Sequence, residues 1–331
     1  MTEVVFADVV AAQQRIEHLV HKTPILSSQL LNQWLGHEIY FKAECLQKVG
    51  AFKIRGASNF LAKCHQSNQL PSHVIANSSG NHAQAVALAA SSFNIPATIY
   101  TTENISSVKA AATACYGANV LKFANRTVAD RAVQEAAETK NTAWLPPFNH
   151  PDIIAGQGTA ALEALQERPD INGVFAPVGG GGLLSGTLIA TRELAPTAEV
   201  IGCEPFNAND VANSLRMGSI QSLNGTPKTL ADGAATPCCG EFTFPFLQQT
   251  DGFYEIAEIE LVYWTQWLQH LLKLHVEPTS AMAMAGVIRW LKTKTTPQKA
   301  LVILSGGNIS EASMRQIWQK DCLQNVPSLL D

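Results

Sequence analysis

A lysine stands between a phenylalanine and an isoleucine in QKVGAFKIRGASNFL, Gln47 to Leu61. Desolvating an ammonium is costly, so Lys53 either reaches back to water or has chemical work inside. Three glycine-rich turns elsewhere in the chain are suited to hold ligands. PVGGGGLLSG, Pro177 to Gly186, follows an apolar run and opens a helical stretch. Its consecutive glycines, Gly179, Gly180, Gly181 and Gly182, can wrap backbone amides round one anion, with a phosphate as the natural guest. The spacing is neither GxGxxG nor a Walker loop. NSSGNHAQAVALAA sets Ser78, Ser79, Gly80 and Asn81 at a strand-to-helix turn. That polar quartet exceeds what a helix cap requires and suits a carboxylate or a cofactor. His82 beside it reads, taken alone, as a packed and hydrogen-bonded histidine. ILSGGNIS, Ile303 to Ser310, runs again from strand to glycines and points Ser305 into the crevice where open α/β sheets bind ligands.

The elements that must position these groups are legible as an alternation. EIYFKAE, HVIAN, ATIYT, ANVLKF, NGVFAPV, EVIGCE and KALVILSGG read as strands, with GNHAQAVALAASSF, ADRAVQEAAETK and GQGTAALEALQER as helices between several of them. Strand and helix in turn imply βαβ units and parallel sheet, and nearly all-apolar strands imply helices on both faces. The linkers QSNQLPS and LPPFNHP bracket a compact unit. Residues 69–149 are therefore expected to form a small domain inserted into a large one made of 1–68 and 150–331, with the cleft between them as the site.

The chain has 331 residues, 46% of them apolar, enough for a full core and two lobes. Charged residues make up only 15%, with a formal net of -4, which argues against nucleic acid or a membrane as partner. No apolar run reaches the length of a membrane span. MTEVVFADVVAAQQRIEHLV carries acids early and no apolar signal core, so a cytoplasmic location is expected. The seven cysteines are odd in number, scattered and without metal-type spacing, as reduced thiols would be. Cys238 and Cys239 read as incidental loop thiols, there being no CxxC pattern.

Taken together and in order, GAFKIRGA, SSGNHAQA, IAGQGT, PVGGGGLLSG, EPFNAND, ADG, EPTSA and LSGGN resemble the fold-type II pyridoxal-phosphate enzymes, within them the serine racemase and serine/threonine dehydratase family. The resemblance runs from about Lys22 to Ser310 and implies two-lobed open parallel sheets with helices on both faces, like tryptophan synthase β. It implies pyridoxal 5'-phosphate as cofactor, with Lys53 as the lysine that forms the Schiff base. Burial would lower the amine's pKa and keep it nucleophilic, with Phe52 and Ile54 as desolvating walls. By the same resemblance Gly179, Gly180, Gly181, Gly182 and the amide of Leu183 form the phosphate cup. Asn81 bonds the pyridine 3-oxygen, and Ser305 faces the pyridine nitrogen. Glu277 lies near the ring, and Ala231, Asp232 and Gly233 pass beside it. A neutral serine at the ring nitrogen suits β-elimination and racemisation better than transamination.

Ser79 resembles the serine on the opposite face of the cofactor from the lysine. Two acid/bases flanking one Cα are the minimum for racemisation, and the same carbanion can instead expel a β-hydroxyl. Ser78, Ser79, Asn81 and His82 resemble the loop that grips the substrate carboxylate. In EPFNAND, Glu204, Ala208 and Asp210 match a site for Mg²⁺, Mn²⁺ or Ca²⁺ in racemase-like members, a structural rather than a catalytic ion.

Departures from the pattern narrow these implications. Ala51 replaces a frequent serine before the Phe-Lys pair. Lys48, Gln84, Tyr116 and Asn308 match an ATP-binding pattern of animal racemases, but Gln29 and Val49 replace smaller polar residues, which counts against nucleotide activation. Asp130 and Arg131 straddle the position of an arginine associated with racemisation. The chain ends shortly after Ser310, so the C-terminal regulatory domain of biosynthetic threonine dehydratases, and inhibition by isoleucine, are not expected. A homodimer is the family's expected assembly. The implied activity is serine racemase or serine/threonine dehydratase. One alternative is a threo-3-hydroxyaspartate dehydratase, whose extra carboxylate requires a basic group that the sequence does not locate. Another, of a different class, is a non-catalytic amino-acid-binding protein of the same fold, which an intact Lys53 argues against. A purely structural oligomer is disfavoured, because three glycine-rich turns are costly in a scaffold.

Overall fold

The structure, a computed structural model, describes residues 4–329. The outermost parts of the 1–68 and 150–331 expectation, and the first residues of the N-terminal reading, lie outside the described residues. The strands are β1 (Ile25–Ser27), β2 (Glu38–Ala43), β3 (His73–Asn77), β4 (Ala97–Thr102), β5 (Ala118–Phe123), β6 (Thr142–Trp144), β7 (Gly173–Pro177), β8 (Glu199–Pro205), β9 (Gly252–Ile256) and β10 (Lys299–Leu304). They form two sheets. The larger has the order β1-β2-β10-β7-β8-β9 and is parallel except for β1; the smaller, β5-β4-β3-β6, is parallel throughout.

Both faces of the large sheet are apolar, for a reason visible in β10. Leu301 and Ile303 point to one side, with Leu162, Leu165, Leu184 and Leu188 of two helices. Ala300, Val302 and Leu304 point to the other, with Leu261, Leu268, Met282 and Met284 of two more. Period-2 alternation thus puts apolar side chains on both faces, the pattern of a sheet covered twice. The seven expected strands are all present. Those not foreseen are β1, β6 and β9, two of only three residues and one half-buried along most of its length, where no apolar run stands out.

Strand order reverses once in each sheet. In the smaller, β4 and β5 lie to one side of β3 and β6 to the other; in the larger, β8 and β9 lie to one side of β7 and β10 to the other. Connections leave such a switch point in opposite directions and open a crevice at the carboxyl ends of the strands. The turns after β3, β7 and β10 are the three glycine-rich motifs. Between the sheets runs the helix Lys53–Gln66, whose Ile54, Ala57 and Leu61 pack with Val74, Ala76 and Val86 of the smaller sheet and its covering helix. Its other side meets the buried helix Pro151–Glu167 at Gly56, where Gln157 Oε1 accepts from the Gly56 amide at 3.1 Å.

Candidate active site

The three turns line one cavity of about 1990 Å³, together with Phe52, Lys53, Glu277 and Thr279. Lys53 is held at the start of its helix by the large sheet: Ala51 bridges Gly306, and the Phe52 amide donates to the Ser305 carbonyl at 3.0 Å. Its Nζ donates to the Pro147 carbonyl at 2.7 Å and lies 5.1 Å from the centre of the Phe52 ring. Burial brings the amine down to about 8, against the opposing pull of the Glu277 charge. Ile54 is not the second wall that the sequence suggests. The helical turn carries it away from the cavity into the core, 1% exposed.

Around the phosphate-type loop the glycines answer to sterics. Gly181 has φ +92°, and a Cβ on Gly180 would collide with the Phe148 ring. Thr243 Oγ1 donates to the Gly180 carbonyl at 2.7 Å and fixes the turn. The amides of Gly179 to Leu183 donate to no protein acceptor among the described residues, and helix Gly182–Leu194 begins within them. A small, glycine-lined cradle with unengaged amides fits a phosphate.

On the facing side, Asn81 Nδ2 donates to both oxygens of Glu277, at 3.0 and 3.2 Å, while its Oδ1 accepts from Asn308 Nδ2 at 2.8 Å. These contacts fix which way the Asn81 amide points. Glu277 is pushed up to about 7, first by burial and then by the Asp232 charge. Ser305 and Ser280 share a 3.0 Å hydrogen bond, and Ser280 is anchored to both the amide and carbonyl of Gly306 at 2.7 Å. Ser280 has one proton: while it donates to the Gly306 carbonyl it accepts from Ser305, and only when it turns that proton to Ser305 is the Ser305 hydroxyl free to point its own at a ring nitrogen. The donor set therefore fits pyridoxal phosphate at each end of the molecule. Ser280 and Thr243 escaped the sequence reading; a hydroxyl inside a helix or loop carries no periodic signal. Asn308, noted there for a nucleotide pattern, is bound instead to Asn81 and, at 2.7 Å, to the Val49 carbonyl.

Ser78 and Ser79 both line the cavity, and Ser79 is exposed with no hydrogen-bond partner among the described residues. His82 is 5% exposed and bonded through Nε2 to the Leu145 carbonyl at 2.9 Å. Burial, with the Lys53 charge next, holds it down to about 3. Its ring is neutral, so a carboxylate at this loop meets amides and hydroxyls. Ala231 is buried, and the Gly233 amide beside it donates to Thr279 Oγ1 at 3.1 Å. Asp232 pairs with Lys109 at 2.7 Å. Of the straddling pair, Asp130 lines the cavity, whereas Arg131 is exposed and pairs with Glu135.

Glu204, Ala208 and Asp210 lie at the end of β8, in the short turn after it and at the start of helix Asp210–Met217, outside the lining of the Lys53 cavity, and the Asp210 charge is felt at Glu204. All are buried. Glu204 accepts from the Val211 and Ala212 amides at 3.2 and 2.6 Å. Neither oxygen of Asp210 accepts a hydrogen bond of good geometry; the nearby backbone amides of Asp210 and Cys239 favour its charge only weakly, and burial outweighs them and pushes that carboxyl up to about 7. A buried carboxylate without a well-placed donor is costly, and a cation beside it would remove the cost.

Comparison with known proteins agrees with this geometry. The family model described as pyridoxal-phosphate dependent enzyme matches residues 16–306. An L-threo-3-hydroxyaspartate ammonia-lyase of Saccharomyces cerevisiae is 45% identical over 92% of this chain and 93% of its own. A serine racemase of Schizosaccharomyces pombe is 40% identical over 92% and 94%. The crystal structure of a T.th. threonine deaminase superposes with a TM-score of 0.84 at 40% identity, covering 92% of this chain and 99% of that one. The chain belongs to the pyridoxal-phosphate dependent enzymes, and its fold and relatives are those of the fold-type II racemases and ammonia-lyases.

Proposed function

We propose that the protein takes the α-proton from a small β-hydroxy amino acid. It then either expels the β-hydroxyl, giving keto acid and ammonia, or returns a proton on the other face. The observation that carries this is one amine, Lys53, held near neutral pKa in the same cavity as the unengaged hydroxyl of Ser79. When bound, pyridoxal phosphate supplies the electron sink for the ionising Cα–H bond. Lys53 is the residue to which the cofactor attaches and the base at Cα; Ser79 serves the opposite face. The loop amides of 179–183 hold phosphate, Asn81 the ring oxygen, and Ser305, backed by Ser280, the ring nitrogen. Ser78, Asn81 and the amide of His82 bind the substrate carboxylate. Glu277 orients Asn81, and Phe52 shields the amine.

The relatives' printed activities, on 3-hydroxyaspartate, serine and threonine, share that first proton removal and support the reading. We further assign Glu204, the Ala208 carbonyl and Asp210 to a structural divalent cation, supported by a buried Asp210 carboxylate that accepts no hydrogen bond of good geometry. Residues 69–149, which contain the whole smaller sheet, form the small domain, and the assembly is a homodimer. The test is turnover of L-serine, D-serine, L-threonine and both 3-hydroxyaspartate diastereomers, read as keto acid and enantiomer ratio. Lys53→Ala is expected to abolish all of it, and turnover at the parent rate would refute the assignment. Ser79→Ala is expected to lose racemisation while keeping part of the elimination from the L-isomer; equal loss of both contradicts the two-base account.

A further inference from the structure

Resting on the reading that this cavity takes a β-hydroxy amino acid, we propose that Arg126 binds a second carboxylate on the substrate's β-carbon. The preferred substrate is then 3-hydroxyaspartate, ahead of serine and threonine. Such a carboxylate needs a cation in the cavity wall with donors to spare. Lys53 is committed to the cofactor, and Lys109 Nζ is engaged by Asp232 at 2.7 Å with only 13% of its side chain exposed. The His82 ring is tied to Leu145 and neutral. Lys228 also lines the cavity and is exposed, but no hydrogen bond ties it to the Ser78–His82 turn among the described residues. His150 accepts from the Asp152 amide at 3.1 Å, and burial lowers its pKa; Arg126 is the cation that is tied to the substrate-binding turn.

Its placement is built. Arg126 opens helix Arg126–Ala137 after β5, and its Nε donates to Asp130 Oδ1 at 2.6 Å. An i,i+4 ion pair is ordinary on an exposed helix and contributes little there. Here the same Asp130 oxygen also accepts from Asn77 Nδ2 at 2.6 Å, and Asn77 Oδ1 accepts from Trp144 Nε1 at 3.0 Å. Asn77 is 9% exposed and directly precedes Ser78, so two hydrogen bonds tie the guanidinium to the turn assigned to the α-carboxylate. Its charge is felt at His82 in that turn. Asp130 takes only the Nε edge. The terminal nitrogens have no partner among the described residues, and Arg126 lines the cavity with half its side chain exposed. A planar fork of this kind receives a carboxylate through two parallel hydrogen bonds. In serine or threonine nothing would reach it.

The test uses the cofactor-loaded enzyme as parent, Arg126→Gln and Arg126→Lys. Charge-assisted hydrogen bonds to a carboxylate predict that Arg126→Gln lowers the ratio of kcat/KM for L-threo-3-hydroxyaspartate to that for L-serine by ~30-fold or more. Arg126→Lys should lose an intermediate amount, since it keeps the charge without the fork. A second readout needs no turnover: calorimetric affinity for L-aspartate against L-alanine, which lack the leaving hydroxyl. L-aspartate should bind more tightly to the parent, and the gap should close in Arg126→Gln. An unchanged ratio, or equal losses on both substrates, overturns the proposal, as does an equal affinity of the parent for both ligands. If no β-hydroxy amino acid is turned over, the proposed function falls, and the aspartate–alanine gap still decides the role of Arg126.

Discussion

Lys53 differs from a surface lysine because of what surrounds it. Burial outweighs the attraction of Glu277 and sets the amine near 8 rather than 10.5. At pH 7.5 roughly a quarter of it is then unprotonated, against about one part in a thousand for a free lysine. Protonation blocks attack on the cofactor, so the rate at which cofactor-free protein takes up pyridoxal phosphate should rise with pH and level off above about 8. A stopped-flow absorbance series checks this, and a rise continuing to pH 10 contradicts it. Val49 carries strain at the same site: it is a β-branched residue at φ +59°, next to Gly50 at +68°. Left-handed backbone costs such a residue on the order of 1–2 kcal/mol, partly offset in a glycine by chain entropy. Val49→Gly relieves that strain but deletes a core side chain worth about 1.5–3 kcal/mol. It is therefore expected to destabilise by only about 1 kcal/mol in a denaturant titration, less than an unstrained core truncation. The residue types were legible in the sequence, but their partners were not. Asn81 and Glu277 lie 196 positions apart, and no local pattern says that one amide will be fixed by that carboxylate.

Two glycine contacts set the spacing between the elements that carry the site. In the helix Pro151–Glu167, a Cβ on Gly156 would lie 2.6 Å from Gly56 Cα in the helix that starts at Lys53. A Cβ on Gly158 would lie 2.8 Å from the Gly186 carbonyl oxygen, in the helix that starts at the glycine loop. IAGQGT thus brings both helices that open on the cavity onto one buried rod, a packing role that the sequence motif alone did not reveal. Beside it, Arg55 joins Glu44 and Glu163 through 2.7 Å pairs, with Lys42 on Glu163 at 2.6 Å, all buried. That cluster fixes the helix two residues beyond Lys53. Gly158→Ala forces backbone apart and should cost about 1–3 kcal/mol in unfolding free energy. It should also weaken phosphate binding more than the distant position suggests, measured as the dissociation constant of pyridoxal phosphate.

At the scale of the molecule, the arrangement is two sheets, parallel but for β1, whose switch points face one cavity. Apolar strands and glycine turns made the alternation readable, since both are local properties of the chain. Which strands sit at the switch points depends on pairings between distant segments, such as β10 between β2 and β7. No described helix is long and apolar enough to cross a membrane. The proposed cation belongs to this scale, because it would tie β8 to the helix after it. Chelation should lower the melting temperature by several degrees, with recovery on adding Mg²⁺ or Ca²⁺, and Asp210→Ala should be insensitive to both. An unchanged melting temperature on chelation contradicts the site. The central claim is that this cavity exists to hold pyridoxal phosphate on Lys53. Borohydride reduction of the loaded protein, followed by peptide mass spectrometry, should find the phosphopyridoxyl group on Lys53 alone. Its appearance on another lysine, or on none, would contradict the account.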